Sequence, residues 1–153
     1  MDVSISKIIV HCSDTPDHWD IGAKEIHAWH LAPPFNFDGI GYHRVIRRDG
    51  TIEHGRPDYW SGAHCKGHNT GSLGVCLIGQ TQFTAAQMDS LDTLIQQWRR
   101  QYPTIKSIAG HRDYNPGKTC PNFDVNQWLK VRKLDGTHHS GKNHGPPPTG
   151  LAR

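Results

Sequence analysis

The 153-residue chain lacks any apolar run approaching the roughly 20 residues that span a bilayer, so no membrane insertion is expected. No secretory leader is expected either: Met1-Asp2-Val3-Ser4 has no basic segment, and Ile8 to Val10 is too short for a signal-peptide core. Synthesis in the cytoplasm is therefore expected, and action outside would need a separate means of exit. Charge of one sign is scarce. A formal charge of +3 suits an anionic polymer, but Arg47-Arg48, Arg99-Arg100 and the basic residues from Lys130 to Lys133 are scattered and give no nucleic-acid footprint. Cysteine is sparse too. Cys12, Cys65, Cys76 and Cys120 are even in number, yet with no leader and no small loop-rich frame they read as free thiols rather than a disulfide scaffold.

What is present fits one α/β domain. The length suits a single core, five Trp offset a modest apolar fraction of 35%, and a monomer is expected. Twelve histidines are many for this length; His138, His139 and His144 fall in a Gly/Pro-rich end segment. That segment, 134–153, shows no periodicity and is expected to be disordered, leaving 1–133 as the folded domain.

The richest stretch is Gly110 to Asp124, GHRDYNPGKTCPNFD. His111 follows the apolar run Ile105 to Ala109, at the expected end of a buried strand, and Asn115-Pro116-Gly117 forces a turn before Cys120-Pro121. An imidazole and a thiolate are zinc donors, and a third protein ligand with one open position would make a catalytic rather than a structural site. Lys7 to Cys12 is β-branched and apolar, a strand buried on both faces that ends at Ser13-Asp14-Thr15-Pro16. His11 therefore also sits near a strand end, where it can meet His111. With twelve histidines the spacing alone leaves other pairings open.

Between these ends the elements alternate. Asp20 is a candidate N-cap for a helix over Ala23 to His30 with Ile26 and Trp29 inward, closed by Pro33-Pro34. Gly41 to Ile46 alternates as a strand, Asp49-Gly50 marks a hairpin and Thr51 to His54 returns. His43 alternates with Tyr42 and so reads as a packed histidine. Gly55 to Ser72 is a long loop, a length usually tied to function. Leu73 to Gly79 is another buried strand. Thr84 and Gln87 form a capping box ahead of a helix whose Met88, Leu91, Ile95, Trp98 and Tyr102 share one face. Asp124 caps a last helix to about Lys133. The sum is a mixed central sheet flanked by helices.

Five blocks resemble, in order, the type 2 zinc-dependent N-acetylmuramoyl-L-alanine amidases, the family that shares its fold with the peptidoglycan-recognition proteins. They are Ile9 to Thr15; Ile40 to His43 with Arg47 to Glu53 and Gly55-Arg56; Gly62 to Gly67 with Asn69; Leu73 to Gly79; and Gly110-His111 with Lys118 to Pro121 and Phe123-Asp124. The likeness covers about Lys7 to Lys133 and is strongest to the phage branch. It implies one Zn2+ held by His11, His111 and Cys120, with Tyr42 and Lys118 catalytic. It also implies cleavage of the amide between N-acetylmuramic acid and L-alanine of peptidoglycan, as an endolysin in phage lysis.

In other branches a glutamate general base occupies the strand position where Cys76 stands here, and Asp often replaces Cys120, so Tyr42, Lys118 and the metal carry more of the proton traffic. The softer thiolate favours zinc over harder metals. Asp113 is a candidate for bracing the ligand loop. His64 and Asn69 are candidates for substrate contact, while Cys12 and Cys65 read as inert thiols. Three other functions compete with this one. A peptidoglycan-binding module without catalysis typically loses the cysteine ligand, which is present here. RNA polymerase inhibition leans on an N-terminal extension in a phage member of the family, whereas few residues precede the first strand here. A thiol hydrolase using Cys12 or Cys65 would be killed by alkylation and spared by a chelator, the reverse of a zinc enzyme.

Overall fold

The computed structural model describes residues 4–134. Its nine elements are β1 (Lys7–Cys12), α1 (Ala23–Leu31), β2 (Arg44–Ile46), β3 (Ile52–His54), β4 (Ser72–Leu77), α2 (Ala85–Gln101), β5 (Ser107–Gly110), α3 (His111–Tyr114) and α4 (Val125–Arg132). The five strands form one mixed sheet in the order β3-β2-β4-β1-β5. All neighbours are parallel except the β2–β3 hairpin. β1 lies at the centre of the parallel part, which explains its unbroken β-branched run: both of its faces are covered.

Strand alternation divides the molecule. Ile8, Val10 and Cys12 of β1 and Leu73, Val75 and Leu77 of β4 point into the main core, where Met88, Leu91, Ile95 and Trp98 of α2 and Trp128 and Leu129 of α4 meet them. On the other face a smaller cluster packs Ile26 of α1 against Val45, Cys76 and Ile78. The α2 start is as the capping box implies. Thr84 Oγ1 accepts from the Gln87 N–H at 3.0 Å, and Gln87 Oε1 accepts from the Thr84 N–H at 3.0 Å. Asp124 accepts from the Gln127 N–H to start α4.

Several expectations are corrected. Gly22, not Asp20, is the N-cap of α1; Asp20 instead meets Arg47 at 2.9 Å. Trp29 is 41% exposed because α1 buries only the narrow stripe at Ile26. The strand read over Gly41 to Ile46 is shortened to β2, since the backbone before it turns to other partners: Gly41 N–H to His30 Nδ1, and Ala63 N–H to Gly41 O. Leu134, given to the end segment on sequence, is buried in the main core, and its carbonyl accepts from Arg99 at 2.5 Å. Residues 135–153, and with them His138, His139 and His144, lie outside the described residues. No helix among the described residues is long and apolar enough to cross a membrane.

Candidate metal centre

β1 and β5 are adjacent and parallel, and their pairing ends at Val10 opposite Gly110. The next residue in each chain segment is a histidine, His11 still on β1 and His111 opening α3. His11 and His111 thus emerge side by side at the carboxyl ends of neighbouring strands, with ring centroids 4.6 Å apart. The following loop brings Cys120 back over the same edge. The Cys12 N–H donates to Cys120 Sγ at 3.1 Å, and the Arg112 N–H donates to Cys120 O at 2.8 Å. Ligand atoms of His11, His111 and Cys120 lie within 4.8 Å of one another, a group that can hold a metal ion.

The electrostatics suit cation binding. Burial, then the neighbouring His64 and His111, hold His11 well below the usual imidazole range. His111 is lowered by burial and by the charge of Lys118. Both imidazoles are therefore neutral near pH 7, with lone pairs available. The backbone N–H at Cys120 Sγ suits a sulfur bearing negative charge. Two imidazole nitrogens and one sulfur are a donor set that zinc takes in catalytic sites, leaving one coordination place open.

Tyr42 stands next to this group, its ring 5.0 Å from that of His11. Burial, then the Cys76, Cys120 and Cys12 thiols around it, push its hydroxyl well above the usual phenol range, so it stays protonated. Cys76, the register partner of His11 on β4, is fully buried, and burial holds it as a thiol. Lys118 is exposed on the loop before Cys120, and its charge adds to burial in lowering His111.

His64 and Asn69, expected to meet substrate, are engaged elsewhere. The His64 ring is buried beneath His11, with its Nδ1 2.8 Å from His11 Nε2 and its Nε2 3.2 Å from Ser72 Oγ. Asn69 Oδ1 accepts from the backbone N–H groups of His64 and Cys65 and pins the loop that carries them. His43 is a packed histidine: its Nε2 donates to Trp60 O and its Nδ1 accepts from the Gly74 N–H. Asp113 braces the start of α3 by accepting from the Gly110 N–H at 2.8 Å. Cys12 and Cys65 are buried free thiols. Ser72 was not singled out from the sequence; a polar residue heading a buried strand, two steps of alternation before Cys76, is the signal that could have found it.

The sequence pattern of the N-acetylmuramoyl-L-alanine amidase family matches residues 1–123. The chain belongs to this family. It is 40% identical to the endolysin of Enterobacteria phage K11 over 137 residues, covering 84% of this chain and 88% of the relative. The endolysin of Escherichia phage T7 is 37% identical over 139 residues, 86% of this chain and 89% of the relative. Among solved structures, the N-acetylmuramoyl-L-alanine amidase LysC from Clostridium intestinale URNW superposes with a TM-score of 0.75 at 28% identity, over 90% of this chain and 92% of that one. Family membership and this superposition agree on the mixed sheet flanked by helices.

Proposed function

We propose that this chain is an endolysin-type N-acetylmuramoyl-L-alanine amidase that hydrolyses the amide between the lactyl carbonyl of N-acetylmuramic acid and the first L-alanine of peptidoglycan. The observation that carries this reading is the clustering of His11, His111 and Cys120 at the β1 and β5 ends, beside Tyr42. These three residues would hold one zinc ion. When bound, zinc lowers the pKa of a water to about 7 and polarises the scissile carbonyl as a Lewis acid.

The chain's own groups do the rest. Tyr42, kept as a phenol by its burial, donates a hydrogen bond to the amide carbonyl oxygen as it gains charge. Lys118 brings an ammonium toward the same developing oxyanion; one such donor is worth about 2.7–4 kcal/mol of barrier. Cys76 has no base function, since its thiol is buried and held protonated. Access to the wall is proposed to depend on a separate holin-type release protein, and the active form is proposed to be a monomer.

The test is the loss of turbidity of purified sacculi, with mass spectrometry of the products. Free stem peptides beginning with L-alanine are expected from the wild type. New reducing sugar ends in their place would discard the assignment.

A further inference from the structure

His64 lies behind the metal centre in a position the cleavage chemistry leaves unused, and its surroundings are built around its ring. A Cβ at Gly74 would sit 2.6 Å from His64 Cγ, and one at Gly62 would sit 2.5 Å from His64 Cδ2, so both positions are free of side chains where the imidazole passes. Asn69 fixes the backbone at His64 by accepting its N–H at 2.9 Å. The ring thus passes close against two glycines and its backbone is fixed, before its own hydrogen bonds are considered.

Those bonds have only one consistent direction. Ser72 Oγ is 2.7 Å from His68 O and 3.0 Å from Asn69 O, and carbonyls only accept. The single hydroxyl hydrogen of Ser72 is thus committed to a carbonyl, and toward His64 Nε2, 3.2 Å away, Ser72 Oγ acts as the acceptor. His64 then carries its hydrogen on Nε2 and presents a lone pair at Nδ1. Facing it at 2.8 Å, His11 Nε2 must be the donor. His11 is left with its free lone pair on Nδ1.

We infer that His64 and Ser72 are positioning residues that lock His11 as the Nε2–H tautomer and so present its Nδ1 to the metal. This rests on the reading that His11, His111 and Cys120 hold zinc. Outer hydrogen bonds of this kind fix ring orientation and ligand basicity, and their loss typically lowers metal affinity about 10–100-fold.

Zinc affinity measured by competition with a chromophoric chelator tests this, together with long-range 1H–15N correlation of the zinc-loaded, 15N-histidine-labelled protein. Wild type is expected to show His11 protonated at Nε2 and metal-bound through Nδ1. His64→Ala is expected to bind zinc about 10–100-fold more weakly. His64→Asn, whose Oδ1 can stand where Nδ1 stood, is expected to recover most of that loss. Ser72→Ala, which leaves the His64 ring in place, is expected to weaken zinc by a smaller factor and to broaden or shift the His64 signals. Metal on His11 Nε2, or zinc binding unchanged in both His64→Ala and Ser72→Ala, overturns the inference. Should wild type bind zinc with the stated tautomer yet release no stem peptide from sacculi, the amidase reading fails while the relay stands.

Discussion

The two faces of the sheet are made by the same strands and do different work. Toward α2 and α4 the face is apolar throughout, from Ile8 and Val10 to Trp98 and Trp128. Toward α1 the apolar cluster is small, and the remaining space holds His11, Tyr42, His43, His64 and Ser72. Alternation along β1 puts Val10 in the first set and His11 in the second, one residue apart. Stability is concentrated on one side and chemistry on the other, so substitutions on the two faces should separate cleanly.

The largest effect is expected at the sulfur proposed to bind zinc. Cys120→Ser should abolish release of stem peptides and lower zinc content measured by atomic emission, with the far-UV circular dichroism of the protein unchanged. A core change should do the opposite. Trp128→Ala removes a fully buried side chain and should lower unfolding free energy by about 3–5 kcal/mol in denaturant titrations, with zinc stoichiometry of the folded protein retained. If zinc were lost in step with stability, the division between the faces would be wrong. Lys118→Ala should cut kcat about 10²–10³-fold at unchanged zinc content, because its proposed role is to meet the oxyanion and not to bind the metal.

The smallest effect lies at the rim between the faces. Burial alone would raise the Asp17 carboxyl, but N–H donors from Gln80, Thr81 and Gln82 and the Thr81 hydroxyl outweigh it and hold the group at about 2, against 3.8 unperturbed. A lowered carboxylate pKa contributes stability above the unperturbed value, and that contribution is lost as pH falls toward the folded one. Asp17→Asn should therefore be less stable than wild type by about 1–2 kcal/mol at neutral pH, a figure reduced from about 1.4 kcal/mol per pKa step for solvent screening. The gap should close between about pH 4 and pH 2 in thermal melts.

Much of this division could be read before any coordinates. The unbroken run Ile8-Ile9-Val10 announced a strand covered on both sides, and Thr84 with Gln87 located the start of α2, because capping chemistry is local. His11, His111 and Cys120 were reached through strand ends, a turn and family likeness. What stayed hidden depended on chain segments far apart in sequence. Nothing local tells that Arg47 takes Asp20 away from capping α1, or that a helix of nine residues leaves Trp29 outside. His64 read as a loop residue because the fold of the long loop against β4, where Gly74 makes room for the ring, is set by the sheet and not by its own sequence.

One feature of β5 reaches further than its length suggests. It stops pairing at Gly110, two residues before β1 ends at Cys12. The amide of Cys12 therefore finds no strand beside it, and the sulfur of Cys120 takes the vacated rung. The ladder of the sheet is finished by a sulfur of the proposed zinc site, so the exchange of that single amide with deuterated solvent becomes a gauge of whether the sulfur is in its place.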